Sequence, residues 1–230
     1  MKILAIETAT MTGSVAIIDE ESGLISEARL NINVAHAERL MPTIDWLLRS
    51  SRLGIEEMDG FAVSIGPGSF TGLRIGLSTA KGLSFSTKRP IIPVKTLDAF
   101  AHTFPFSSLL LCPMLDAKKQ EVYTALYRWE GRKIKKVVPE MAIKPEEFLT
   151  YINEDTIFFG DGAKRYVSVI KESIKKGIHC LIPPPSKMVP SAAQIGELGI
   201  LMLKEGISVP PETITPFYIR KSEAEIKFEK

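Results

Sequence analysis

The sequence predicts an α/β protein built as two related lobes, and three observations predict it. Short runs rich in β-branched residues alternate with segments of helical hydrophobic period, which is how α/β folds read. The pattern resets around Thr103-Phe104-Pro105-Phe106-Ser107-Ser108. Each half also opens with a hairpin whose first strand ends in a carboxylate, Glu7 in one and Asp116 in the other. The reading is an N-terminal lobe over 1–105, a C-terminal lobe over 106–220 and a flexible tail over 221–230.

The first lobe reads strand, strand, strand, helix, strand, helix. Ile3 to Glu7 and Ser14 to Asp19 are strands joined by a Thr/Gly turn, and Leu24 to Ile32 alternates as a third. Residues 37–52 carry a helical period with Leu40, Ile44, Leu47 and Leu48 on one stripe. Asp59-Gly60 turns into the strand Phe61 to Ile65, Gly66-Pro67-Gly68 breaks the chain, and Thr71 to Ser86 is a helix. Ile91 to Val94 is a buried strand before a brief helix near Thr96–His102. In the second lobe, Leu109 to Leu115, Glu121 to Trp129 and Lys133 to Val138 are strands. Pro145 starts a helix running to about Asn153. Thr156 to Phe159 is a strand closed by Gly160-Asp161-Gly162, followed by a helix over 163–176. Ser191 caps a last helix that Gly206 ends.

Composition excludes several classes. Apolar residues make up 45% and charged residues 24%, a globular balance that argues against disorder over most of the length. The 29 basic and 27 acidic residues leave a net charge of only +2, so RNA is expected to be gripped by a partner rather than by this chain. Cys112 and Cys180 form no Cys-x-x-Cys pair; Cys112 reads as a buried small hydrophobe, and no disulfide scaffold is expected. The opening apolar stretch meets Glu7 too soon for a secretory leader, and no run approaches a membrane span, so a cytoplasmic location is expected.

The most distinctive segment is Gly66-Pro67-Gly68-Ser69-Phe70-Thr71-Gly72-Leu73-Arg74-Ile75-Gly76. A glycine-rich turn before a helix can cradle phosphate, but the spacing matches neither of the two common phosphate motifs. Gly72, Gly76 and Ala80 instead make a bare stripe at i, i+4, i+8, and glycine inside a helix costs ~1 kcal/mol against alanine. A close backbone neighbour is the reason, either the lobe's own sheet or a partner helix. On helix 37–52, Trp46 points away from the inward stripe with Pro42 and Arg49 beside it, the composition of an interface anchor or of a Trp covered by the chain's own loops. His36 precedes that helix with no second ligand in view, so no metal site is expected. Thr8, Thr10 and Thr12 crowd the first turn beside Glu7; they form a Thr-rich turn, or in a nucleotide cleft they would meet phosphate while Glu7 oriented hydrated magnesium. No nucleophile–base set emerges.

These pieces resemble one family. Ile3-Leu4-Ala5-Ile6-Glu7-Thr8-Ala9-Thr10, His36-Ala37-Glu38-Arg39-Leu40, the run Gly66 to Gly82, Asp116-Ala117 with Glu121-Val122-Tyr123, Gly160-Asp161-Gly162-Ala163 and Pro216-Phe217-Tyr218-Ile219-Arg220 are similar to the TsaB (YeaZ) family. The resemblance implies the two-lobed ASKHA (actin and sugar-kinase) fold with a degenerate cleft. It further implies a non-catalytic subunit that pairs with TsaD, which transfers threonylcarbamoyl to adenosine 37 of transfer RNA. TsaE and TsaC complete the pathway, RNA is met only through the complex, and the chain alone forms homodimers through the same surface. The implied partner surface comprises His36, Glu38, Arg39, Pro42, Trp46 and Arg49 with Ser69, Phe70, Gly72, Leu73, Gly76 and Ala80. The implied remnant of a nucleotide cleft comprises Glu7, Thr8, Thr10, Asp116, Gly160 and Gly162.

Two departures separate the chain from catalytic relatives. TsaD relatives carry a His-x-x-x-His metal pair where Thr96 and Phe100 stand here. Lys118 and Lys119 follow Asp116 where actin-like kinases want glycine. No cofactor is therefore expected. Weak ATP/ADP and Mg binding, as in an ASKHA ATPase, is the alternative, with a metallopeptidase more remote.

Overall fold

The computed structural model describes residues 1–32 and 34–220. They fall into two compact units, Met1–Ala99 with Pro190–Phe217, and Phe100–Val189 with the chain from Tyr218 onward. The sequence-based boundary at 105 is corrected on both sides. The first unit ends at Ala99, and the chain returns to it at Pro190. The tail over 221–230 lies outside the described residues.

In the first unit, β1 (Lys2–Glu7), β2 (Gly13–Asp19), β3 (Gly23–Leu30), β4 (Gly60–Gly66) and β5 (Ile91–Lys95) form one sheet in the order β3-β2-β1-β4-β5. The β1, β2 and β3 pairings are antiparallel; β4 and β5 join in parallel. Strand alternation sends Leu4, Ile6, Val15, Ile17, Phe61 and Val63 to one face, where α1 (His36–Ser51) and α2 (Phe70–Thr87) cover them with Leu40, Ile44, Leu47, Leu77 and Ala80. Ile3, Ala5, Ala16, Ile18 and Ala62 point to the other face. A short α3 (Thr96–Ala101) follows β5.

The second unit repeats this plan. Its strands are β6 (Leu110–Asp116), β7 (Val122–Glu130), β8 (Lys133–Ile143), β9 (Thr156–Phe159) and β10 (Cys180–Leu181), in the order β10-β9-β6-β7-β8. Three antiparallel strands followed by two parallel ones, with the first in the centre, is the order of the first sheet, so the duplication suggested by Glu7 and Asp116 is present in the topology. On one face, α4 (Pro145–Phe148), α5 (Asp161–Arg165) and α6 (Val167–Ser173) bury Phe148, Ala163 and Ile170 against Leu110, Cys112 and Phe158. Phe159 turns to the opposite face and meets Phe100 and Phe104 edge-on at 4.7 and 5.1 Å. Cys112 is fully buried, and desolvation pushes its thiol up to about 12.

The last helix, α7 (Ala192–Lys204), lies on the first unit's second face, with Ile195 and Ile200 in that core. Ser191 caps it by accepting from the Ala193 N–H, and the Ser191 hydroxyl also bonds Glu27 on β3. Beyond it, Val209 bridges Ile91, and the Phe217 N–H donates to the Ile65 carbonyl at 2.7 Å. The single helix expected over 163–176 is two, broken at Tyr166, and β8 runs five residues further than the expected Val138. No helix among the described residues is long and apolar enough to cross a membrane.

Candidate functional site

The glycine-rich run is explained first by its own unit. The Gly66–Pro67 peptide is cis, and Ser69 then caps α2 by accepting from the Gly72 N–H at 3.3 Å. The Ser69 N–H donates to the Ala9 carbonyl at 2.7 Å, and the Thr8 hydroxyl donates to the Gly72 carbonyl at 2.8 Å. A Cβ at Gly72 would collide with the Thr8 carbonyl, and one at Gly76 with the Thr8 hydroxyl. Leu73 and Ala80 are wholly buried. Gly72 and Gly76 therefore serve the contact between α2 and the end of β1, and Leu73 and Ala80 are buried within the unit, which corrects the assignment of these four to a partner surface. The same contact places the carbonyls of Thr8 and Ala9 against the start of α2, where a phosphate would have to sit.

Arg39 is corrected in the same way. Its guanidinium is buried and donates to the carbonyls of Met11 (2.7 Å), Leu30 (3.0 Å) and Ile32 (3.3 Å). It also meets His36 Nδ1 at 3.0 Å. Because arginine only donates, Nδ1 accepts, so Nε2 carries the proton and donates to the Thr10 carbonyl at 2.8 Å. Burial and the Arg39 charge push His36 below the usual histidine range against the opposing pull of that Thr10 bond. His36 and Arg39 thus staple the first turn, the end of β3 and the start of α1.

The remaining surface residues do lie outward. Glu38, Pro42 and Arg49 are exposed, Trp46 is 59% exposed, and all four follow one face of α1. Trp46 and Pro42 wall a groove of about 670 Å³ whose opposite side is Ala28, Arg29 and Leu30 of β3. Met41 adds a second exposed apolar side chain on α1, and Arg49 pairs with Asp45 at 2.9 Å. On α2, Ser69 is exposed and Phe70 half-buried, with the Arg74 guanidinium 3.9 Å from the Phe70 ring centroid. Sequence reasoning missed Arg74, although the Phe-x-x-x-Arg spacing brings the two side chains onto one helix face.

The remnant-cleft residues are internally committed. Glu7 is fully buried at the end of β1, and its Oε1 accepts from the Ala9 N–H at 2.6 Å and the Ser64 hydroxyl at 3.4 Å. The Thr10 hydroxyl donates to the Thr12 carbonyl at 3.1 Å. In the second unit, Asp116 Oδ2 binds Lys118 Nζ at 2.9 Å and Arg165 at 2.8 Å. Desolvation would raise this carboxyl, but the Lys118 bonds and charge, with Arg165, hold it below the usual range. Lys118, Lys119 and Gln120 all take positive φ (60°, 50° and 61°), so the turn keeps a backbone that favours glycine without having one. Gly160, at φ 114°, and Gly162 let the β9–α5 turn pass against the backbone of Met114, with no room for a Cβ. Thr96 and Phe100 are fully buried, and among the described residues no group of three His, Cys, Asp or Glu side chains converges as a metal site.

The family model for TsaD, tRNA N6-adenosine threonylcarbamoyltransferase, matches residues 30–228. The chain is 30% identical to the tRNA threonylcarbamoyladenosine biosynthesis protein TsaB of Escherichia coli over 97% of its own length and 96% of the relative's. The chain belongs to the TsaB family. It is also 29% identical to the TsaB protein of Bacillus subtilis, over 99% of this chain and 98% of that one. The solved structure of YeaZ from Pseudomonas aeruginosa superposes with a TM-score of 0.81 at 26% identity, covering 94% of this chain and 99% of that one. The α/β, two-unit architecture is thereby that of the TsaB family, whose named members are proteins of tRNA threonylcarbamoyladenosine biosynthesis.

Proposed function

We propose that this chain is the non-catalytic, activating subunit of the tRNA threonylcarbamoyladenosine transferase complex. It docks on a TsaD-type transferase through the outer faces of α1 and α2. TsaE and TsaC act with the pair in the cytoplasm, and by itself the chain forms homodimers through the same surface. The observation that carries this reading is Trp46. A large aromatic left 59% exposed beside Pro42, over an apolar groove, has the composition of an anchor awaiting a partner.

Support for a non-catalytic role comes from the other candidate residues. The Asp116 carboxylate is neutralised by Lys118 and Arg165, Glu7 Oε1 and the Thr8 hydroxyl are engaged in internal hydrogen bonds, and the start of α2 faces carbonyls of its own chain. An ATPase would need those groups free for hydrated magnesium and phosphate. The proposal therefore carries no cofactor requirement, and any ATP/ADP or Mg binding is weak.

The test is to mix the purified chain with its TsaD partner at micromolar concentration and follow size by light scattering. A one-to-one heterodimer is expected; two unmixed species would remove the proposal. The ATPase alternative predicts instead tight, saturable ATP–Mg binding by the isolated chain, lost in Glu7→Ala.

A further inference from the structure

Charge is divided unevenly between the two units. Residues 1–99 and 190–217 carry 11 Lys/Arg against 14 Asp/Glu, whereas the rest of the chain carries 18 against 13. A total near neutrality thus hides one acidic unit and one basic unit. Much of the basic excess sits on the β7–β8 hairpin, where Arg128, Arg132, Lys133, Lys135 and Lys136 accompany two carboxylates, Glu130 and Glu140. Three of these cations are engaged: Arg128 with Glu154 at 2.6 Å, Lys135 with Glu130 at 3.3 Å and Lys136 with Glu140 at 2.7 Å. Arg132 and Lys133, at the turn, are exposed and make no ion pair or side-chain hydrogen bond among the described residues.

Aromatic rings adjoin this turn. Trp129 stands opposite Ile134 in the hairpin register, and its ring meets Phe106 at 5.2 Å and His102 at 5.4 Å. Phe106 is 66% exposed and held at φ 58°, a left-handed conformation that bulky L-residues disfavour. Burial does not offset that strain, because the ring rests on Trp129 with most of its surface in water. Flat aromatic faces at the same end of the hairpin as unpaired cations are the two parts of a single-stranded nucleic-acid surface, one for bases and one for phosphates. A protein partner fits less well, since lysine is depleted at protein interfaces.

We infer that this end of the second unit touches RNA directly, with Phe106 stacking on an unpaired base and Arg132 and Lys133 on the adjoining phosphates. The inference rests on the reading of the chain as part of a tRNA-modifying complex. It replaces the expectation that partners alone hold the RNA.

Fluorescence anisotropy with labelled transfer RNA tests it, using the heterodimer with the TsaD-type partner. The double variant Arg132→Glu, Lys133→Glu is expected to lose at least tenfold in affinity and to lower the salt slope by about 2. Phe106→Ala should lose about fivefold or more at an unchanged slope, and Phe106→Trp should restore it. Affinities equal to wild type in both Phe106→Ala and the double variant would overturn the inference. Should the heterodimer not form, that failure belongs to the docking proposal. The isolated chain then takes its place: the same order of affinities is expected, and no saturable RNA binding would overturn the inference.

Discussion

Two glycines of α2 should respond to the same substitution with opposite signs. Gly72→Ala drives a methyl into the Thr8 carbonyl, a backbone atom that cannot rotate away, and threatens the Thr8–Gly72 hydrogen bond. The helix-propensity gain of ~1 kcal/mol is outweighed by overpacking of ~1–3 kcal/mol and the loss of a buried bond worth ~1 kcal/mol. A net destabilisation of about 1–3 kcal/mol corresponds to a melting point lower by roughly 3–10 °C for a chain of this size. At Gly82, nothing lies within 4 Å of an added Cβ, so Gly82→Ala keeps only the propensity gain. It should stabilise by about 0.5–1 kcal/mol and raise the melting point by roughly 1–4 °C. Scanning calorimetry with urea titration measures both. Shifts of the same sign, or an unchanged Gly72→Ala, would refute the claim that the bare stripe exists for the α2–β1 approach.

Three further outcomes follow from the staple and the strained turn. His36 is held below its ordinary value, so its contribution to stability is full above about pH 6.5 and is lost as pH falls through the folded-state value; urea midpoints should decline below pH 6.5, and His36→Gln should flatten that part of the curve. Arg39→Ala leaves the Met11, Leu30 and Ile32 carbonyls without their donor and should cost about 2–4 kcal/mol by chemical unfolding. Lys119→Gly relieves a left-handed residue and should raise stability by ~0.5–1 kcal/mol, read from the shift in urea midpoint.

Periodicity carried most of the architecture. The stripe Leu40, Ile44, Leu47 and the outward Trp46 follow from the 3.6-residue repeat alone, and the Glu7/Asp116 echo pointed to a duplicated sheet that the strand order repeats. What sequence could not supply was long-range closure. The return of Ala192–Lys204 to the first sheet depends on contacts with Ile18, Ala5 and Ala62, residues more than 100 positions away. The break at Tyr166 lacks a Gly or Pro to mark it, and the two-residue β10 is too short for a period. For the candidate surface, spacing showed that Gly72, Gly76 and Ala80 need a close neighbour but not which one, since the lobe's own sheet and a partner helix demand the same small side chains. Arg39 was misplaced for another reason. The family resemblance of His36-Ala37-Glu38-Arg39-Leu40 placed it on a partner surface, and only the fold reveals three carbonyls converging on it.

Reconstituted threonylcarbamoyl transfer to transfer RNA tests the central claim most directly, run with this chain alone, the TsaD-type partner alone, both together, and both with Trp46→Ala. The account predicts product only from the pair. Trp46→Ala should fold normally, weaken association by ~2 kcal/mol or more, and lose product at limiting concentration. Transfer by this chain unaided, or full activity and affinity with Trp46→Ala, would contradict it.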